Sequence, residues 1–182
     1  IGVIWALALF VAYEFSYWTD HYLSHQIPFL WEFHKVHHSA EVLSPLTNFR
    51  VHPIDSLVFV NIVAVFTGIT SGVLTYVLGA GPVSLGTWSG TTLLGLAIVI
   101  FSQFQHTQIW LPLTGFWGRV LLSPAHHQIH HSCDERHFNK NLGNLIAVFD
   151  WLFGTLYIPS KQRPKLVFGL DPHAKPAHDI TE

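Results

Sequence analysis

Histidine is the residue type with which this 182-residue chain is best equipped to do chemistry. The sequence holds 14 histidines against nine lysine and arginine residues. Eight of the histidines form three spaced clusters, an HxxxH pair and two HxxHH triplets: His21 and His25, then His34, His37 and His38, then His127, His130 and His131. Residues three and four positions apart share one face of a helix, so each cluster can present two or three imidazoles to one point. The spacing predicts a metal site.

The number of clustered histidines predicts two metal ions. A structural zinc site closes with about four ligands, whereas the three clusters offer eight. Imidazole binds zinc, copper, iron and nickel, so the ligand type leaves the identity of the metal open. The chain has one cysteine, Cys133, which rules out an internal disulfide and any cysteine-based zinc or iron–sulfur site.

The other six histidines lie outside these three clusters. His106 ends a long apolar segment and is a candidate ninth ligand, with an interfacial histidine bonded to a backbone carbonyl as the alternative. His52, at the start of an apolar segment, is expected to cap a helix or to support a ligand. His126 points about 100° away from His127 on a helix and cannot share its face. The remaining three are predicted to lie on the surface: His137, His173 and His178.

Stretches without charged residues indicate where the helices that position these histidines lie. Only 11% of the residues are charged, against roughly 25% in an ordinary soluble domain. No Asp, Glu, Lys or Arg occurs between Asp55 and Arg119, a stretch of 63 residues. Within it, segments 54–78 and 85–106 are each long enough to cross a hydrocarbon core of about 30 Å. The Gly-Ala-Gly-Pro sequence at 79–82 predicts the turn of a helical hairpin.

We therefore predict an all-α integral membrane protein. An apolar segment at about 1–20 adds a third span, and because the chain lacks methionine and starts inside this segment, the segment is expected to be incomplete. All nine basic residues lie in segments joined to the open ends of the hairpin. The positive-inside rule places those segments, and the histidines with them, in the cytoplasm. The net charge of −2 offers no basic face to nucleic acid.

The predicted domain organisation follows from these spans. A cytoplasmic helical cap is expected to hold the histidine cage, with short helices near 125–131 and 142–153. The expected divisions are a single membrane-embedded catalytic domain at 1–160, with its cap at 21–53 and 111–160, and a C-terminal tail at 161–182 that packs on the cap or is partly disordered.

The order of the motifs resembles the fatty acid hydroxylase superfamily of histidine-box membrane di-iron oxygenases, in particular its sterol desaturase and alkylglycerol monooxygenase branches. The sequence SPAHHQIHH at 123–131 looks like the last histidine box of that family. NKNLG at 139–143 and DWLFGT at 150–155 look like its cap sequence, and FGL at 168–170 is similar to its tail.

The resemblance implies an O2-dependent hydroxylase or desaturase that acts on C–H bonds of a membrane lipid or sterol. It implies two iron ions, which zinc can replace in purified samples. A separate electron donor (cytochrome b5, ferredoxin or a reductase) is expected, because the chain has no GxGxxG motif and no cysteine cluster. Asn141 and Asp150 would support the ligands. The ligands it implies are His21, His25, His34, His37, His38, His106, His127, His130 and His131.

One departure from the family pattern leaves alternatives open. Tyr22 and Gln26 stand where many members read Arg and Glu in the first box, His-Arg-x-x-His-Glu, so an impaired member that serves as a structural or assembly subunit is one alternative. A carotenoid hydroxylase is another, although the tail and the Asp150 segment favour the sterol branch. A bis-histidine haem carrier would place paired histidines on opposing membrane helices, and the hairpin contains only His106.

Overall fold

A computed structural model describes residues 2–79 and 85–170 of the chain, with residues 85–94 described by their backbone alone. In this part of the chain the regular secondary structure is helical, and the β-pairing is limited to two isolated bridges. The prediction of an all-helical protein is confirmed for these residues. The helices are α1 (Gly2–Gln26), α2 (Pro28–His38), α3 (Pro53–Leu78), α4 (Leu85–Gln105), α5 (Trp117–Val120), α6 (Pro124–His130) and α7 (Val148–Leu152), with 3-10 turns at Pro45–Phe49 and Glu135–His137.

Helices α1 and α3 are each long and apolar enough to cross a membrane. Pro53 occupies the first turn of α3, where its missing N–H costs nothing, and His52 Nδ1 accepts a hydrogen bond from Ile54 N at 3.2 Å. Gly79 ends the helix with a φ of 61°, a left-handed conformation that glycine adopts without strain. The two helices pack against each other along their length.

Helix α4 lies where the return arm of the hairpin is predicted and also packs against α1. Its described apolar stretch is Gly95–Gln105. Of the turn predicted at 79–82, Gly79 ends α3, and residues 80–82 lie outside the described residues. The last turns of α1 carry the first histidine pair, the start of α3 contacts α2, and α4 contacts α6. These contacts bring the three histidine-bearing segments to one end of the helix group.

The segments predicted to form the cap consist of short helices and loops. Helix α6 confirms the helix expected near 125–131, and a capping box between Ser123 and His126 fixes its start. Residues 166–170 run back over the segment that follows α6, where Cys133 N donates to Val167 O at 2.9 Å. The predicted tail beyond Leu170 lies outside the described residues.

The predicted helix at 142–153 is wrong in its first half, since only Val148–Leu152 is helical. Residues 140–146, here called the carboxylate-held loop, donate backbone N–H groups to two buried carboxylates instead of to helix carbonyls. Glu14 accepts from Leu145 N and Ile146 N, each at 2.8 Å. Asp150 accepts from Leu142 N and Gly143 N at the same distance. Glycine and asparagine within the loop are weak helix formers, which lowers the cost of leaving the helix.

Glu14 anchors this loop to α1. Its side chain is 1% exposed, and it also accepts a hydrogen bond from Asn144 Nδ2 at 2.9 Å. A buried carboxylate with three donors is stable only while all three contacts persist. The loop and α1 are therefore fixed relative to each other.

We expect Glu14→Gln to lower the free energy of unfolding by about 1–3 kcal/mol, because the amide group can accept at only one atom and leaves buried N–H donors unpaired. Thermal unfolding of the purified protein in detergent measures this loss. Glu32→Gln is the control, since Glu32 is exposed and pairs only with Lys35, and an exposed pair contributes less than about 1 kcal/mol. Equal stability of the two variants would contradict the anchoring role.

Candidate metal centre

The structure brings all nine predicted ligands together at the ends of α1, α2, α4 and α6. They form two groups, and within each group one ring nitrogen per residue lies within 4.8 Å of every other. All of these side chains are buried except that of His25, which is half-buried. The first group contains five histidines and the second contains four: His21, His25, His34, His38 and His130, then His37, His106, His127 and His131.

The five-histidine group presents five Nε2 atoms that are buried and have no hydrogen-bond partner. Buried polar atoms in proteins are almost always paired. Five unpaired Nε2 atoms that meet in one place fit a metal ion, because each can donate its lone pair. The residues present therefore satisfy the main requirement for an imidazole-bound ion.

Hydrogen bonds at the opposite ring nitrogen, Nδ1, fix the protonation of two of these histidines. His21 Nδ1 donates to Leu142 O at 2.7 Å, and His130 Nδ1 donates to Lys140 O at 2.9 Å. A carbonyl can only accept, so in each ring the proton must sit on Nδ1 and the lone pair on Nε2. Both carbonyls belong to the carboxylate-held loop. The loop thus sets the orientation of two candidate ligands.

In the four-histidine group the Nε2 atoms lie in a chain of short contacts. The separations are 3.1 Å between His37 and His106, 2.9 Å between His106 and His127, and 3.1 Å between His127 and His131. Two imidazole nitrogens that bind one ion at about 2.1 Å lie roughly 3 Å apart. The observed spacing fits that geometry. The position of His106 within this group favours the ligand interpretation over an isolated interfacial histidine.

Each HxxHH triplet presents two of its imidazoles to one group and its middle histidine to the other, within the expectation that two or three imidazoles of a cluster face one point. His34 and His38 share the five-histidine group, whereas His37 joins the other. His127 and His131 share the four-histidine group, whereas His130 joins the first. Members of an i, i+4 pair lie on one face of a helix, while adjacent residues are turned by about 100°. The two groups adjoin, with ring centroids of His38 and His131 4.5 Å apart.

Burial favours the neutral form of His38, His106 and His131. It lowers the pKa of His106 to about 4. Burial, reinforced by neighbouring imidazoles, lowers the pKa of His38 and His131 well below the usual histidine range. A metal ligand must be in the neutral form, so the lowered pKa values suit the proposed role.

Asp55 is a supporting residue that the sequence analysis did not identify. Its side chain is buried, and Oδ2 accepts from His34 Nδ1 at 3.1 Å. A carboxylate behind an imidazole fixes its tautomer and strengthens it as a ligand. The signal in the sequence was a lone carboxylate at the start of an apolar helix, next to His52, but nothing local connects it to α2.

The two supporting residues that the sequence did suggest act through the backbone. Asp150 is fully buried and holds the carboxylate-held loop, whose Leu142 carbonyl in turn accepts from His21. Asn141 Nδ2 donates to the carbonyls of His126 and Tyr157. Neither side chain is hydrogen-bonded to a histidine of the two groups.

The isolated histidines lie outside the two groups. His126 Nδ1 accepts from Ser123 N at 3.1 Å and Nε2 donates to Gly118 O at 3.2 Å, which fixes the start of α6. His52 caps α3, one of the two roles expected for it. The surface prediction for His137 is wrong, because the residue is 4% exposed and its ring packs edge-on against Tyr157 at 4.9 Å. His173 and His178 lie outside the described residues.

A cavity of about 420 Å³ leads to the histidines from the end of α1 that bears them. Trp31 forms one wall, with its ring centroid 5.2 Å from that of His25 and 5.4 Å from that of His38. Gln26, one of the two departures in the first box, also lines the cavity, whereas Tyr22 stacks on Trp18 at 5.0 Å. The lining comprises His25, His38, His130 and His131, the apolar residues Pro28, Trp31, Phe138 and Leu170, and Gln26, Ser132, Cys133, Asn139 and Gly169.

Comparison with known proteins gives one family, and the relatives include two kinds of lipid-modifying enzyme. The profile of the family described as fatty acid hydroxylase matches residues 6–155. The ornithine lipid hydroxylase OlsE of Rhizobium tropici is 31% identical over 157 residues, which are 85% of this chain and 42% of that protein. The alkylglycerol monooxygenases of Homo sapiens and Danio rerio are 24% and 25% identical, over 88% and 91% of this chain and 32% of each relative. The chain thus spans a third to two fifths of the length of these relatives. No solved structure matches it.

We expect Asp55→Asn to weaken metal binding by about 10- to 100-fold, because an amide holds His34 less firmly than a carboxylate does. Competition with a chelator of known affinity measures the change. Asp134→Asn is the matched control, since the Asp134 side chain is 34% exposed and, among the described residues, forms an ion pair with Arg136 rather than with a histidine of the two groups. Unchanged affinity in Asp55→Asn would show that His34 needs no carboxylate.

Proposed function

The chain belongs to the fatty acid hydroxylase family, and from that premise we propose that it is a membrane-bound di-iron enzyme that uses O2 to hydroxylate or desaturate a C–H bond of a membrane lipid. The observation that carries the proposal is the convergence of nine histidine side chains into adjoining groups of five and four. A structural zinc site would use about four ligands and leave the other group without a role.

Two ions are proposed because each group is complete by itself. His21, His25, His34, His38 and His130 would hold one ion, and His37, His106, His127 and His131 would hold the other. A pair of irons bound there supplies the activation of O2 that attack on an unreactive C–H bond requires. Zinc accepts the same imidazole ligands and can take the place of iron in a purified sample.

The chain's own residues orient the ligands and exclude water. Nδ1 of His130 and of His21 donates to a backbone carbonyl, and Nδ1 of His34 donates to the carboxylate of Asp55. These partners keep the proton on Nδ1, so each Nε2 stays free to bind an ion. Burial of the histidines keeps bulk water from the site. Dry surroundings protect a reactive oxidant from side reactions.

The cavity beside the histidines is the proposed place for the reacting part of the substrate. Its walls include Trp31, Phe138 and Leu170, which suit a hydrocarbon chain and offer no charge. The names of the relatives specify an ornithine lipid hydroxylase and alkylglycerol monooxygenases, and a lipid substrate for this chain agrees with both. A sterol is the alternative substrate class of the wider superfamily.

The proposed placement in the membrane follows from the helices and the basic residues. We propose that α1, α3 and α4 are spans of a multi-pass protein, that residues 1–160 form one domain with a tail at 161–182, and that the histidines face the cytoplasm. All basic residues lie beyond the charge-free stretch, as the positive-inside rule requires. Electrons would come from a separate donor such as cytochrome b5, ferredoxin or a reductase.

One observation supports a second candidate function. Gln26 lines the cavity at a position where many family members have glutamate. If a carboxylate there is essential to turnover, the chain is a metal-binding structural subunit rather than an enzyme.

Purification without oxygen, followed by iron analysis and Mössbauer spectroscopy, tests the proposal. We expect two coupled irons per chain and, when O2 and a reductant are added in lipid, an oxidised lipid product detectable by mass spectrometry. Loss of both iron and product is expected for His38→Ala and for His131→Ala, one from each group. His52→Ala, outside both groups, should retain them. Two irons without product would favour the subunit, and one zinc, haem or no metal would contradict the di-iron proposal.

We expect Trp31→Ala to lower lipid oxidation or to shift the oxidised carbon along the chain while iron content stays at the parent value, because the cavity wall changes and no ligand is removed. Product mapping by mass spectrometry measures the shift. Phe29→Ala is the control on the same helix, since Phe29 is 68% exposed and does not line the cavity. An unchanged product pattern in Trp31→Ala would show that the substrate approaches the histidines elsewhere.

A further inference from the structure

Five large apolar side chains are exposed together on one side of the cap, and we call this set the aromatic corner. They lie at the start of α5 and at the end of α7, two helices that contact each other. Each is between 54% and 68% exposed: Phe116, Trp117, Trp151, Leu152 and Phe153. A contiguous patch of this size is uncommon on a surface that faces water and usually marks an interaction site.

The position of the aromatic corner along α1 and α3 indicates whether water or lipid surrounds it. Phe149 in α7 packs on Phe15 of α1 at 5.2 Å between ring centroids, and Phe153 stacks on Trp18 at 4.3 Å. Phe15 also packs at 5.2 Å on Phe66, which lies in the interior of α3. Phe15 is about 16 Å from the end of α1 that bears the histidines, at about 1.5 Å per residue. Helix α7 therefore lies beside the interior of two candidate membrane spans rather than beyond their ends.

The charge pattern around the corner agrees with this level. Between residues 141 and 160 the sequence has one charged residue, Asp150, which is fully buried and hydrogen-bonded. Arg119 is exposed at the end of α5, and Lys140 donates to Gly154 O beside α7. Tryptophan together with basic side chains is typical of the boundary between lipid headgroups and acyl chains.

We propose that the aromatic corner is a membrane-embedded surface of the cap, inserted among lipid acyl chains and headgroups beside α1. Its exposed side chains continue the exposed apolar surface of α1, on which Val11 is 48% exposed one turn from Phe15. If α1 meets lipid at this level, so does the corner. The bilayer therefore covers part of the cap as well as the spans.

The embedded corner places the proposed metal centre close to its substrate. His21 lies six residues from Phe15 on α1, which is about 9 Å along the helix axis. The carboxylate-held loop joins the same helix to α7. A lipid beside the corner would then lie within about 9 Å, along the axis of α1, of the level of His21.

Depth measurement with a fluorescent probe tests the proposal. Trp151→Cys and, as a second variant, Leu152→Cys carry an environment-sensitive fluorophore in the full chain, reconstituted in lipid nanodiscs. Val11→Cys on the exposed side of α1 is the lipid reference, and Arg136→Cys is the water reference because its side chain is 77% exposed on the cap. The parent chain measures background labelling of its own buried Cys133. Metal content equal to that of the parent shows that each variant is folded.

We expect blue-shifted emission at positions 151 and 152, and quenching by nitroxide-bearing phospholipid similar to that at position 11 and severalfold stronger than that at position 136. Quenching by aqueous iodide should follow the opposite order. Iodide quenching at positions 151 and 152 as strong as at position 136 would overturn the proposal while leaving the membrane assignment of α1 intact. Shielding of both positions from both quenchers would also overturn it, because a second copy of the chain would then cover the corner.

Discussion

Two buried carboxylates on different helices hold one loop, and the orientation of the histidine groups depends on that loop. Glu14 and Asp150 accept four backbone N–H groups of residues 142–146. The loop in turn offers the carbonyls of Lys140 and Leu142 to the rear nitrogens of His130 and His21. Histidines of α1 and α6 are thus oriented by a segment that contributes no histidine to either group. Neutral imidazoles packed this closely need such fixed partners, because a rotated ring would lose its hydrogen bond and its place in the group.

The nine histidines predicted as ligands do come together in the structure, whereas their surroundings were predicted less well. Histidine spacing and the charge-free stretch are local or one-dimensional patterns, and they identified the nine histidines and the long helices. The roles of Glu14, Asp55 and Asp150 depend on contacts between residues far apart or on backbone groups, which no periodicity reveals. The helix expected at 142–153 failed in its first half for the same reason, since tertiary hydrogen bonds compete with helical ones there. His137 was misplaced because a partner such as Tyr157 lies twenty residues away in the sequence.

The two departures in the first box differ in what they contact. Tyr22 packs on Trp18, away from the cavity, whereas Gln26 borders it. The presence of Tyr22 in place of arginine therefore affects the packing of α1. The replacement of the carboxylate concerns the proton and charge balance next to the proposed site, where burial magnifies electrostatic effects.

The division of each HxxHH triplet between two groups has a consequence for how the site fills. His37 and His38 are neighbours on α2 but belong to different groups. His130 and His131, at the end of α6, are divided in the same way. Any ion that fixes one member of a pair also fixes the backbone that carries the other. If both groups bind an ion as proposed, the two sites would therefore be coupled through the backbone of α2 and of the end of α6.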